Sequence, residues 1–374
     1  MKISFMHFDV SVHKIIHKLA YEQSFDLIRI SKASVLQKDK EFYLQWLKNG
    51  EQGEMAYLDR DPERRYNPAK ILPGVKSIII AGLNYGEKPT KISDNTKVNI
   101  ARYAKNKPDY HKVFEKKLST FSESLTQNFS KINAKFYVDY GPLMERPYAA
   151  ASSMGFIGKN TTLITPQFGS WVLLGEILTT LEIPEETPQK HGSCGSCRKC
   201  LDICPTKALK SAYDLDSRLC ISYLTIENKG PIPVKLRKQI GTWLFGCDLC
   251  QEVCPHNVRA QAYVPQKWQD ITIEPDLKNS MYLSSIAFLK KILTIKSEQE
   301  FKIFFKNTPF LRAKRVGLIR NACIVAGNLG NRELLPYLEN LTNDESELIR
   351  EHAAWAIDEL KKPLHGRNSP PIVQ

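Results

Sequence analysis

Cys194-Gly195-Ser196-Cys197-Arg198-Lys199-Cys200-Leu201-Asp202-Ile203-Cys204-Pro205 sets four cysteines in the order C-x2-C-x2-C-x3-C-P. This is the spacing of bacterial ferredoxins, in which three thiolates grip one four-iron four-sulfur cubane and the fourth reaches a neighbouring one. A second set, Cys247-x2-Cys250-x3-Cys254-Pro255, lacks its first member at the ordinary place, and Cys220 in the apolar stretch LCISYL can supply it. Eight ligands result, the number two cubanes require. Crossed ligation assigns Cys194, Cys197, Cys200 and Cys254 to one cluster, and Cys204, Cys220, Cys247 and Cys250 to the other. Zinc also accepts four thiolates from paired short spacings, but the C-x2-C-x2-C-x3-C-P run favours iron and sulfide. The ninth cysteine, Cys323 in RNACIVAGNL, reads as a small buried apolar residue.

Composition frames that module. Lys and Arg number 53 against 40 Asp and Glu, a net charge of +13 that attracts polyanions such as nucleic acid. A solvated basic surface is the competing account. The 374 residues suffice for two or three domains of about 100–200 residues each, so a core can form without disulfide staples. The opening MKISFMHFDVSVHK lacks the apolar core and small-residue cleavage site of a signal peptide, and no apolar run approaches the ~18 residues of a membrane span. The cytoplasm is the expected compartment, and its reducing conditions make closely spaced cysteines cluster or metal ligands rather than disulfide partners.

Upstream of the cysteines, helical and strand-like patterns alternate. Helices are expected over 12–20, 41–47 and 111–127, and strands over 25–30, 76–83 and 134–139, the last followed by a turn at Gly141-Pro142. An apolar stretch at 171–181 closes this region, and the linker PEETPQKHG (184–192) follows. Between Cys220 and Cys247 a long insertion carries Lys235, Arg237 and Lys238, placed to meet an anionic partner. Downstream, 283–360 turns helical and Ala-rich, and Leu318-Ile319-Arg320 recurs as Leu348-Ile349-Arg350, as in HEAT-type repeats or a plain helical bundle. The expected organisation is a multidomain α+β or α/β protein. Its parts are an N-terminal α/β domain at 1–183, a ferredoxin-like double-cluster module at 184–265, a HEAT-like α-helical domain at 280–364 and a disordered tail at 365–374.

Electron carriers are short, so the long region ahead of the module is expected to hold the site that receives the electrons. The stretch VDYGPLMER puts Asp139 at a strand end before a turn, a position shared by catalytic acids and turn-capping aspartates. It belongs to an ordered set: Arg102-Tyr103-Ala104 with Asp109-Tyr110-His111, then VDYGPLMERPYAA, GFIGKNTTLIT, FGSWVLLGEI and the two cysteine sets. Over nearly the whole chain this set resembles the epoxyqueuosine reductase family of tRNA-modifying enzymes. The resemblance implies a cobalamin cofactor, two 4Fe-4S clusters, and reduction of the epoxide of epoxyqueuosine at the tRNA wobble position, the last step of queuosine biosynthesis.

By the same resemblance Asp139 is the proton donor, with its carboxyl buried and its pKa raised. Corrinoid contacts fall on Arg65, Ala101, Asp139, Leu163 and Leu174, with Ser222 and Asp248 where a cluster approaches the cofactor. Taken alone, Leu163 and Leu174 are ordinary core leucines and Arg65 a surface charge. The family's Gly-Leu-Gly-Trp-Ile appears here as Ser153-Met154-Gly155-Phe156-Ile157, a departure next to Lys159. The implied partners are a tRNA anticodon stem-loop and an external electron donor such as flavodoxin or ferredoxin, with no membrane and a monomeric chain. Lys306, Arg312, Lys314, Arg315 and Arg320 are the expected phosphate contacts, with a solvated helix face as the alternative. Two other functions share parts of this pattern. A reductive dehalogenase would carry a twin-arginine leader, and a ferredoxin-like electron-transfer subunit would bind no corrinoid.

Overall fold

The computed structural model describes residues 3–86, 96–105, 109–189, 191–260 and 285–362. The chain divides into two compact units, one of Met1–Pro89, Tyr110–Arg198 and Cys254–Asp270, the other of Thr90–Asp109, Lys199–Val253 and Ile271–Gln374. The expected tail at 365–374 lies outside the described residues.

The first unit is built on a four-stranded sheet of β1 (Leu27–Lys32), β2 (Ser77–Asn84), β3 (Ala134–Val138) and β4 (Val172–Thr179). Their order is β1-β2-β4-β3 and every pairing is antiparallel. The α/β expectation is therefore corrected to α+β for this unit. Ile78, Ile79 and Ile80 of β2 are all buried, and a strand covered on both faces shows such a run whatever its direction. Alternation sends Ile78 and Ile80 into one core with Leu143, Tyr148 and Leu174. The other face receives α3, described next.

Four helices matter here: α1 (Ile3–Glu22), α2 (Gln37–Lys48), α3 (Tyr110–Asn128) and α4 (Glu145–Ala151). On α3 the buried residues Tyr110, Val113, Phe114, Leu118, Phe121 and Leu125 recur every three or four positions, which gives the helix one apolar stripe. That stripe lies close to β4, since a Cβ on Gly175 would stand 2.8 Å from Leu118 Cδ1. On the other face α4 places Tyr148 and Ala149 in the Ile78 core. The predicted elements are found, with β3 ending at Val138 and Asp139 outside the strand.

In the second unit, strand Trp243–Phe245 pairs in parallel with Asn99–Ile100. Helices Ser285–Leu293, Glu298–Phe304, Lys314–Leu329, Leu335–Leu341 and Glu347–Lys361 share one large apolar core. Every residue from Leu318 to Gly327 is buried, so Lys314–Leu329 is the central helix of this unit. Gly327 has no side chain because Trp355 occupies the space: a Cβ there would meet its ring at 2.9 Å. Cys323 is buried in this core, as expected.

Burial overturns part of the phosphate-contact expectation. Arg320 is 1% exposed and donates to the carbonyls of Leu224, Asn228 and Gly230. Arg315 is buried against Asp344 and the carbonyl of Ile295. Arg237 is likewise buried, donating to Ile232 O and paired with Glu351, and Lys238 pairs with Glu359. The three arginines satisfy internal carbonyls and carboxylates, so they are not available to a polyanion, whereas the Lys238 side chain stays partly exposed. No helix among the described residues is long and apolar enough to cross a membrane.

Candidate active site

Asp139 follows the last residue of β3 with φ of +53°, a left-handed conformation that aspartate tolerates better than most residues. The turn leaves its side chain 55% exposed. Tyr110 Oη donates to Asp139 Oδ2 at 2.5 Å, and His111 Nε2 stands 3.5 Å from the same oxygen. Both residues start α3, and their rings stack at 4.1 Å. The backbone N–H of Asp139 donates to Glu145 Oε1 at 2.6 Å.

Behind this turn lies Glu176 of β4, opposite Tyr137 in the sheet register and 1% exposed. No donor among the described residues is aligned on either of its carboxyl oxygens. The Glu145 carboxyl lies alongside. Loss of hydration, then the charge of Asp139, pushes Glu145 up to about 8. Burial first and Glu145 second hold Glu176 well above the usual carboxylate range. A fully ionised pair would leave buried charge uncompensated, so the pair does not ionise fully at neutral pH and keeps a proton. The expectation of a buried carboxyl at Asp139 is thus corrected: Asp139 is the exposed member, Glu145 is half-buried, and full burial falls on Glu176.

Gly141 makes this packing possible. A Cβ there would stand 2.5 Å from Tyr137 Cβ and 2.9 Å from Glu176 Oε1. Arg65, in the one-turn helix Pro62–Tyr66, fixes the same turn: its Nη1 donates to Gly141 O at 3.0 Å and its carbonyl accepts from Met144 N at 2.9 Å. Leu163 and Leu174 are both buried in the Ile78 core. Because Val138 pairs with Gly175, β4 continues through Val172–Leu174 with no strand beside it on the β3 side, among the described residues. That edge, unpaired among the described residues, adjoins Asp139.

The cysteines fall into two groups. In the first unit Cys254 feels the charges of Cys194 and Cys197, and the amides of His256 and Asn257 point at its sulfur. Lys159 N–H points at Cys194 Sγ at 3.4 Å, while Lys159 Nζ donates to the carbonyls of Gly195 and Cys197. In the second unit Cys220 feels Cys204, and Cys250 feels Cys220, Cys200 and Cys204. Burial, followed by these neighbouring thiolates, raises Cys247, which feels Cys250 and Cys220. Crowded thiolates with amides aimed at sulfur suit the donor set of iron-sulfur clusters.

Three of the expected contacts lie in the second unit. Asp248 is buried, and its Oδ2 accepts from Arg102 N at 2.7 Å. Ala101 donates its N–H to Phe245 O at 2.9 Å, and a Cβ on Gly246 would stand 2.5 Å from Ala101 Cβ. Ser222 follows Cys220 in the first turn of helix Ile221–Ile226, where its amide points at the Cys220 sulfur. Ala101, Asp248 and Ser222 are therefore all tied to cluster-binding loops.

Comparison with known proteins decides the family. Residues 65–140 match the family model described as "Epoxyqueuosine reductase QueG, DUF1730", and 193–257 match a 4Fe-4S double cluster binding domain. An epoxyqueuosine reductase of Xanthomonas campestris pv. campestris is 35% identical over 348 residues, covering 91% of this chain and 94% of that protein. The chain belongs to the epoxyqueuosine reductase family. An epoxyqueuosine reductase of Pseudomonas aeruginosa is 35% identical across 90% of this chain and 91% of its own length. Among solved structures, a selenomethionine-labelled epoxyqueuosine reductase superposes with a TM-score of 0.82 at 31% identity, covering 95% of this chain and 92% of that one. Another, with an epoxyqueuosine-modified tRNA-Tyr stem loop, superposes at 0.80 and 32% identity, covering 95% and 91%. An epoxyqueuosine reductase from Bacillus subtilis, 30% identical with a TM-score of 0.81, covering 95% and 91%, is described with its catalytic aspartate loop swung out of the active site.

Sequence reasoning missed four residues at this epoxyqueuosine reductase turn: Tyr110, His111, Glu145 and Glu176. Tyr110 and His111 stood in a quoted motif without a role. Glu145 lies in the VDYGPLMER motif itself, and Glu176 showed as a lone acid in the apolar run of β4. A charge inside an otherwise buried strand was the available signal.

Proposed function

We propose that this chain reduces the epoxide of epoxyqueuosine at the wobble position of tRNA to the alkene of queuosine, with cobalamin and two 4Fe-4S clusters as cofactors. The carrying observation is Asp139, displayed at the end of β3 beside the open edge of β4 and held there by Tyr110 and His111. The names of the relatives and the stem loop in a similar crystal structure support the substrate.

Cys194, Cys197, Cys200 and Cys254 ligate one cluster, and Cys204, Cys220, Cys247 and Cys250 the other, by the crossed ligation that the cysteine spacing implies. Arg65, Ala101, Asp139, Leu163, Leu174, Ser222 and Asp248 hold the corrinoid. A bound corrinoid supplies low-valent cobalt able to reduce an epoxide carbon, and bound clusters supply its electrons singly. The chain supplies positions and protons. Asp139 protonates the departing oxygen, Tyr110 and His111 fix the direction of its carboxyl, and Arg65 holds the turn that carries it. The catalytic region is 1–183, the cluster module 184–265, and the helical region 280–364 a HEAT-like domain. The chain works as a cytoplasmic monomer and draws its electrons from a flavodoxin or ferredoxin.

The test is anaerobic turnover of epoxyqueuosine-containing tRNA by wild type and Asp139→Asn, with cobalamin added or withheld. Queuosine formation that needs cobalamin and is lost in the variant supports the reading. Turnover without cobalamin, or full activity in the variant, defeats it.

A further inference from the structure

Removing the epoxide oxygen as water consumes two electrons and two protons: both carbon–oxygen bonds break, a carbon–carbon double bond forms, and the oxygen leaves as water. The electrons come from the external one-electron donor. A single carboxyl such as Asp139 holds one proton, so the second needs a source.

We propose that the Glu145–Glu176 carboxyl pair holds that second proton and passes it through Asp139 to the departing oxygen. The inference rests on the reading given under Proposed function and adds two residues to it. Three observations carry it. Glu176 is 1% exposed, with neither oxygen met by an aligned donor among the described residues. Glu145 Oε1 accepts the backbone N–H of Asp139 at 2.6 Å, which ties the pair to the acid. The absent side chain at Gly141 admits Glu176 Oε1 to the turn that carries Asp139. A purely structural acid would be paired with a base, whereas here two carboxyl groups lie side by side and each is pushed upward by the other's charge or by lost hydration.

The charged and titratable groups around the pair come from every neighbouring element. Asp139 ends β3, Tyr137 lies on β3, and Arg65 and Arg146 stand on the helices Pro62–Tyr66 and α4. Tyr140 hydrogen-bonds Glu115 of α3 and feels Glu176. The carboxylates favour keeping the shared proton and the arginines favour releasing it. Glu145, pushed up to about 8, lies near the operating pH, where a general acid works best. Net transfer runs downhill, because the final acceptor is hydroxide, whose conjugate acid, water, has a pKa of about 15.7. Glu145 and Glu176 act through Asp139, as proton-holding rather than catalytic residues.

The experiment uses the full chain, reconstituted with clusters and cobalamin, on an epoxyqueuosine-containing stem loop. Glu176→Gln and Glu145→Gln keep size and one acceptor oxygen each but cannot store the proton. Both should lower kcat by about a hundredfold, leave stem-loop Kd unchanged, and abolish the alkaline limb near pH 8 of the wild-type profile. Infrared spectra of the resting enzyme should show a protonated-carboxyl band that both variants lose. An alkaline limb that survives in both variants, or no such band in wild type, overturns the proposal. Wild type that fails to convert epoxyqueuosine overturns the functional reading instead, and the infrared band then decides the pair by itself. Should one variant not fold, the other carries the test.

Discussion

Replacing Arg320 by Met separates a structural cation from a nucleic-acid contact. Its Nη1 donates to Asn228 O and Gly230 O, each at 2.8 Å, and its Nη2 to Leu224 O at 2.7 Å and Asn321 Oδ1 at 2.9 Å. Methionine keeps the aliphatic stem and deletes every donor, leaving three buried carbonyls without this partner. Each unsatisfied buried acceptor costs about 1–3 kcal/mol, and breaking a buried charged interaction on one side costs roughly 3–5 kcal/mol in total. For a unit of this size about 2–4 °C is lost per kcal/mol, so the melting temperature should fall by roughly 6–20 °C. The assay is thermal unfolding of the cluster-loaded protein, beside stem-loop binding across a salt series. A variant that melts like wild type while its salt slope drops by about one would show that the guanidinium meets a phosphate, and the carbonyl-cage reasoning would be refuted.

Three further outcomes follow from the same geometry. His352 is buried, accepts from Ile232 N and is held at about 4 by burial and then by the charge of Arg237. The unfolded chain, with an ordinary value of ~6.5, therefore binds more protons between these limits: stability is present above that window and falls by about 3 kcal/mol as pH drops through it. Urea unfolding at pH 7 and pH 5 should show this slope in wild type but not in His352→Gln, and equal slopes would count against it. Asp248→Ala removes the acceptor for Arg102 N and for Gln251 Nε2, so the loop should loosen by about 1–3 kcal/mol and iron should be lost faster to a chelator. Unchanged iron retention would argue that the contact is incidental. Gly141→Ala puts a Cβ 2.5 Å from Tyr137 Cβ, which should shift the Asp139 turn and cost on the order of 10²-fold in turnover with normal cluster spectra; wild-type turnover would contradict the tight fit.

What the sequence revealed was local chemistry. The expectation of cluster ligands rests on short spacings, because neighbouring thiolates must converge on one cluster, and Cys220, outside both runs, entered only to complete the count of eight. Asp139 stood out at a strand end before a turn, a position that catalytic acids share with capping aspartates, and its role came from the family resemblance. Glu145 and Glu176 were not paired by any spacing: they belong to α4 and β4, and they meet because antiparallel register sets Tyr137 opposite Glu176 and Gly141 leaves room beside it. The direction of the sheet was hidden for a related reason. The buried run Ile78-Ile79-Ile80 reports that both faces of β2 are covered and says nothing of how its neighbours run.

The hardest property to read was where the positive charge goes. Composition gives +13, yet Arg237, Arg315 and Arg320 spend their charge inside the second unit on carbonyls and carboxylates. Of the five residues expected on phosphates, Lys306 and Lys314 are exposed, and Arg312 is surface-exposed and paired with Glu227. An exposed pair of that kind is worth about 0–1 kcal/mol, so Arg312 can exchange its carboxylate for a phosphate at little cost. The exposed lysines can then be set against the buried arginines in one experiment. Each phosphate contact adds roughly 0.7–0.9 to the dependence of log K on log salt, so Lys306→Ala with Lys314→Ala should flatten the stem-loop slope by about 1.5 with little change in melting temperature. Arg320→Met should do the reverse, lowering the melting temperature at constant slope. If the double variant keeps the wild-type slope, the anticodon stem-loop lies elsewhere, and the two lysines belong to a solvated helix surface.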